Sequence, residues 1–109
     1  MTSHPPLLPD VCSGMDDIRR EIDRIDRDII FMLGKRFDYV KVASRFKTSE
    51  TSVRALERFK AMLSQRRLWA EEAGLSADAV EKMYRDLVTH FIEEEMRHWK
   101  DAEPRTTQT

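Results

Sequence analysis

Three charged residues fall where the apolar rhythm of the chain is due a hydrocarbon side chain. Stepping four positions from Met32 reaches Arg36, and four from Ala43 reaches Lys47. On a helix these two positions return to within about 20° of each other, so one face carries two cations. In a later segment, Tyr84, Val88 and Phe91 lead by steps of four and three to Glu95, a carboxylate on the apolar side. Glu94 lies at the edge of the same stripe, and periodicity does not separate the two. Buried charges are costly unless they are paired or bound to something. Each also has a plainer reading. Arg36 could bury its stem and snorkel to solvent, Lys47 could complement a helix C-terminus, and Glu95 could belong to the solvated run Glu93–Glu94–Glu95. Taken together, the two cations and the acid either pair with one another or line an anion site. Spacing leaves both open.

The composition narrows what such a site could serve. The chain has 109 residues, room for one domain, and 36% of them are charged, with a formal net charge of −1. That balance argues against nucleic acid as a partner, because phosphate binding is mainly neutralisation by Lys and Arg. No apolar run approaches the ~20 residues that span a bilayer. The stretch Met1–Asp10 has no basic region followed by an apolar one, so no secretory signal and no membrane partner are expected. One cysteine, Cys12, allows no internal disulfide, and His4, His90 and His98 offer no metal-ligand spacing. The expectation is a cytoplasmic protein with no metal and no cofactor.

The elements that must position these charges are helices. Prolines occur only at 5, 6, 9 and 104 and glycines only at 14, 34 and 74, so the long middle is free of proline. Met15, Ile18, Ile22, Ile25, Ile29 and Met32 recur at steps of three and four, and the pattern continues through Val40, Ala43 and Phe46. Ser13 is the expected N-cap, with Asp16–Arg20 and Asp23–Arg27 supporting the outer face. Such a helix has about 32 residues and a length near 48 Å, more than a compact domain of this size is wide. Its stripe needs a second long helix alongside, and another copy of the chain is the simplest source. A polar loop, 47–52, follows. A second helix is expected over 53–73 with Leu56, Phe59, Met62, Leu63 and Trp69 inward and Gly74 as its C′ residue. Ser76 then caps a third helix bearing Val80, Met83, Tyr84, Leu87, Val88, Phe91 and Trp99. The expected fold is all-α: a three-helix protomer, one helix long and two medium, in an intertwined homodimer. Residues 1–12 are expected to be disordered or extended, 13–101 to form the helical domain, and 102–109 to be a flexible tail.

Around these residues the sequence resembles the all-helical chorismate mutase family, and within it the isochorismate pyruvate lyase branch. Asp17-Ile18-Arg19 with Ile22-Asp23-Arg24-Ile25-Asp26 is similar to the family's opening of helix one. Leu33-Gly34-Lys35-Arg36 and Asp38-Tyr39-Val40-Lys41 continue it. Ala43-Ser44-Arg45-Phe46-Lys47 followed by Glu50 is similar to the lyase branch in particular. Glu57-Arg58, Met62-Leu63, Trp69-Ala70-Glu71-Glu72 and Gly74-Leu75 carry the likeness through helix two. It spans about residues 10 to 100.

What the resemblance implies is specific. Members of the family form an interlocked dimer with two identical sites, each completed by an arginine from the other subunit, and Arg19 matches that arginine. Arg36 and Arg19 of the partner subunit would hold the two carboxylates of a small dianionic substrate, for which guanidinium forks are suited. Lys47 would donate to the ether oxygen of the breaking C–O bond, and loop 47–52 would cover the site. Tyr39, Val40, Ala43, Met62 and Ile92 would line it. The implied reaction is pericyclic: isochorismate gives salicylate and pyruvate, with weak chorismate mutase side activity. Geometry agrees with a shared site, because Arg19 and Lys47 stand about 42 Å apart along one helix.

Two departures from the family pattern matter. Lyases and most bacterial mutases of the family carry glutamine where Glu95 stands, whereas some eukaryotic mutases carry glutamate. An ionised Glu95 would repel the ether oxygen, so it must be protonated to donate, which burial favours and neighbouring cations oppose. Activity is therefore expected to rise toward acidic pH. Second, mutases proper carry an arginine at the start of helix two, where this chain has Leu56, with Arg54 nearby. The alternatives are a chorismate mutase or aminodeoxychorismate mutase and, from a different class, a non-catalytic helical binding module.

Overall fold

In a computed structural model, which describes residues 5–102, every regular element is helical. α1 is Met15–Ala43, α2 is Glu50–Arg54, α3 is Leu56–Glu72 and α4 is Ala77–Ala102, with 3-10 turns at Pro9–Val11 and Ser44–Phe46. The chain forms two compact units that divide after Arg36. No described helix is long and apolar enough to cross a membrane. The expected disorder of residues 1–4 and the expected tail beyond Ala102 lie outside the described residues. Pro9–Val11, expected to be disordered or extended, forms a 3-10 turn.

The first unit is the start of α1 and the segment leading into it. Gly14, rather than Ser13, occupies the N-cap, because the first helical bond runs from the Ile18 N–H to the Gly14 carbonyl (3.2 Å). Ser13 instead donates both its backbone N–H and its hydroxyl to Asp17 Oδ2, each at 2.9 Å. The backbone bond and then the hydroxyl hold the Asp17 carboxyl below its ordinary range. Arg20 pairs with Asp17 at 3.3 Å. No residue of α1 is buried: Ile18, Ile22, Ile25, Ile29 and Met32 are between 37% and 60% exposed. The expected stripe is present and stands uncovered in the single chain.

The second unit is built on the α3–α4 hairpin. Met62, Leu63 and Val88 are buried together, with Phe59, Tyr84 and Ile92 packed against them. The turn is a Schellman motif: the Leu75 N–H donates to the Ala70 carbonyl (2.8 Å) and the Gly74 N–H to that of Glu71 (3.1 Å). Gly74 takes φ +77° there, and the Ser76 hydroxyl accepts from the Ala79 N–H (3.1 Å). Outside the core, Arg67 reaches Asp78 (2.8 Å) and Glu81 (2.7 Å), and Arg85 also donates to Glu81. These bonds, that of Arg67 first, hold the Glu81 carboxyl below its ordinary range. Their small stabilisation is present above the ordinary carboxylate range and is lost as pH falls through the lowered one.

Four further expectations are corrected. The first helix ends at Ala43 rather than Phe46, because the Ser44 hydroxyl donates to the Lys41 carbonyl (2.6 Å) and the last turn tightens to 3-10 geometry. The second helical stretch is broken at Ala55, which adopts φ 42° and ψ 60° between α2 and α3. The last helix is long, at 26 residues, rather than medium. Leu56 and Trp69, expected inward, are 65% and 50% exposed, since two packed helices cover only the seam between them.

The Gly74 turn yields a clean test. A Cβ there meets nothing within 4 Å, so Gly74→Ala carries only the left-handed backbone penalty. Thermal or urea unfolding is expected to show a loss of about 1–2 kcal/mol, with Gly74→Asn losing less. Equal stability for all three proteins contradicts the assignment.

Candidate functional site

The second unit brings Lys47 and Glu95 together. Lys47 is the residue after the 3-10 turn, in extended conformation (φ −90°, ψ 141°), and its backbone N–H donates to the Ser44 carbonyl at 3.2 Å. Its ammonium donates to Glu95 Oε2 on α4 (3.1 Å) and to the Ser52 carbonyl of α2 (3.1 Å). The Glu95 side chain is 6% exposed and that of Lys47 25%. Here the plain solvated-face reading of Glu95 fails. Glu94 is the outward carboxylate, half-buried and paired with Arg97 and, at 3.7 Å, with His90.

The loop that carries Lys47 is tied down along its length. Ser49 and Ser52 form a capping box: the Ser52 N–H donates to Ser49 Oγ (3.1 Å) and the Ser49 N–H to Ser52 Oγ (3.1 Å). Val53 is 2% exposed and anchors α2. Lys100 of α4 reaches Glu50 at 3.5 Å, and the Trp99 indole N–H donates to the Lys47 carbonyl at 2.9 Å. The α1 end of the unit is held by Phe37, whose ring stacks on that of Phe91 at 4.9 Å.

An ammonium has three N–H donors, and two are used among the described residues. The third is available to an acceptor oxygen entering from the exposed side. A cation fixed this way can stabilise negative charge developing on a bound oxygen without reorganising. It can do so because the carboxylate and carbonyl already hold it in place.

Of the other expected site residues, Val40, Ala43 and Ile92 are half-buried and Tyr39 is 79% exposed. Met62 is buried in the hairpin core, with Ile92 packed against it. Arg36 is half-buried and Arg19 exposed, both in the first unit. The expected site omitted Ser52 and Trp99. Trp99 carried a signal, standing four residues after Glu95 and so on the same helical face. Ser52 acts through its carbonyl, which no residue type announces.

The helical hairpin, the short capping helix and the held ammonium define a class, and comparison with known proteins agrees. The chain belongs to the chorismate mutase type II family, which it matches over residues 18–96. It is 50% identical over 94 residues to the isochorismate pyruvate lyase of Pseudomonas aeruginosa, covering 86% of this chain and 93% of that one. It is also 42% identical over 82 residues to the T-protein of Haemophilus influenzae, covering 74% of this chain and 21% of that protein.

The ion pair predicts a stability pattern. Lys47→Met leaves a buried carboxylate without its cation and is expected to lose about 1–3 kcal/mol in urea unfolding. Lys47→Met/Glu95→Leu, which removes both charges, is expected to recover most of that loss. A single variant as stable as the parent chain rules out the pairing.

Proposed function

We propose that this protein is an isochorismate pyruvate lyase working as a homodimer. The observation that carries this reading is the likeness to the Pseudomonas lyase over nearly the full length of both chains. The family match takes in Arg19, Arg36, Lys47 and Glu95. The substrate is a small dianion whose two carboxylates are held by Arg36 and by Arg19 of the partner subunit. The Lys47 ammonium donates its third N–H to the ether oxygen. Tyr39, Val40, Ala43 and Ile92 line the site, and Met62 supports Ile92 from beneath.

The reaction needs no nucleophile. The C–O bond breaks as a ring hydrogen passes to the enolpyruvyl methylene carbon, which becomes the methyl group of pyruvate, and the ring becomes aromatic. Catalysis is restriction of a floppy enolpyruvyl ether to its reactive conformer, together with stabilisation of the charge building on the ether oxygen. Glu95 holds Lys47 through their ion pair. The exposed apolar face of α1 supports the dimer, since an uncovered stripe of five large side chains is a surface for a second copy. A chorismate mutase side activity follows from a site that fits both isomers.

Incubation with isochorismate is expected to yield salicylate and pyruvate in equal amounts, and Lys47→Ala to lose at least about 100-fold in turnover. Prephenate from chorismate without salicylate from isochorismate makes the protein a mutase. Mixing inactive Arg19→Ala and Lys47→Ala proteins tests the shared site. Subunit exchange places one intact site in each mixed dimer and restores about a quarter of the parent activity. No recovery after confirmed exchange means that each site is built from one chain.

A further inference from the structure

Lys47 is held at two points by one helix. Its head is fixed by Glu95 and its backbone by Trp99, one helical turn further along α4. The carbonyl at position 47 follows the last helical turn, so no helical N–H lies ahead to satisfy it. The half-buried Trp99 indole supplies that donor at 2.9 Å. With the Lys47 N–H on Ser44, both backbone polar groups of Lys47 are engaged. The side chain therefore starts from a fixed Cα and ends on a fixed carboxylate. A flexible four-carbon stem, part-buried, is thus fixed at both ends.

We infer that Trp99 is a positioning residue for the reaction: its indole N–H, by holding the Lys47 carbonyl, sets where the Lys47 ammonium meets the substrate's ether oxygen. The inference rests on the lyase reading for its kinetic consequence and on the structure alone for its effect on the loop. Trp99 touches no reacting atom and acts through Lys47. Losing its N–H releases the carbonyl, loosens the residue that begins loop 47–52 and lets the ammonium drift from its place. Misplacement of that kind lowers turnover more than binding, because the cation is needed most where charge develops.

The test is Trp99→Phe, which keeps an aromatic ring and removes the donor, made in the parent chain and in Lys47→Ala. In the parent chain kcat is expected to fall by about three- to tenfold with little change in KM. In Lys47→Ala the same substitution is expected to change nothing further, because the group it positions is gone. Equal losses in both backgrounds assign Trp99 a merely structural role and overturn the inference. Amide exchange gives a readout independent of catalysis: Trp99→Phe is expected to speed exchange over residues 48–52 while leaving the α3–α4 hairpin unchanged. An unaffected loop also overturns the inference. If the parent chain does not consume isochorismate, the lyase reading fails, and the exchange result alone decides the role of Trp99.

Discussion

A carboxylate sealed among helices must have a cation, and the second unit is organised around that requirement. Glu95 sits on α4 one turn from Trp99, with Met96, itself 7% exposed, beside it. The ammonium of Lys47, a residue 48 positions earlier in the chain, meets it. To deliver that ammonium, the α1 end must stop, turn and be held against α4. The 3-10 turn, the Ser49–Ser52 capping box and the buried Val53 accomplish this. The same ion pair that removes an electrostatic penalty also orders the lysine that the proposed reaction uses. Stability and site geometry thus share one contact.

The two units differ in what satisfies them. The α3–α4 hairpin carries its own hydrophobic seam, its own turn chemistry and its own rim of ion pairs through Arg67, Glu81 and Arg85. The first unit has its polar groups well served at Ser13, Asp17 and Arg20, yet its apolar stripe from Ile18 to Met32 stands exposed. Its hydrogen bonds are local and its hydrophobic requirement is not. The homodimer proposed above would cover that face.

Much of this was legible in the residues because it depends on local rules. Gly74 and Ser76 are set by backbone conformation and capping, which a few neighbours decide. The displaced charges were visible as breaks in a helical period, and Lys47 and Glu95 do meet. Periodicity could not choose between Glu94 and Glu95, since both lie near one stripe and only burial and the Lys47 pairing separate them. The break at Ala55 had no signal, because alanine is a poor left-handed residue. Ser13 lost the cap position to Gly14, a shift of one residue that its side chain alone does not reveal. Trp99 read simply as apolar, because its indole nitrogen finds a backbone carbonyl that sequence leaves anonymous.

Ala55 also shapes how the covering loop is able to move. α2 ends and α3 begins on this single residue: its N–H donates to the Thr51 carbonyl (2.8 Å) and its carbonyl accepts from the Phe59 N–H (2.9 Å). No slack lies between the two helices. Lifting α2 at that side means unwinding the first turn of α3 or driving an alanine through forbidden dihedrals. The loop is hinged at this edge, and its other edge, from Lys47 to Glu50, is tied to α4 through Glu95, Trp99 and Lys100. Access to the ammonium is therefore governed from the α1 side, where the ties to α4 are hydrogen bonds and ion pairs that water can replace.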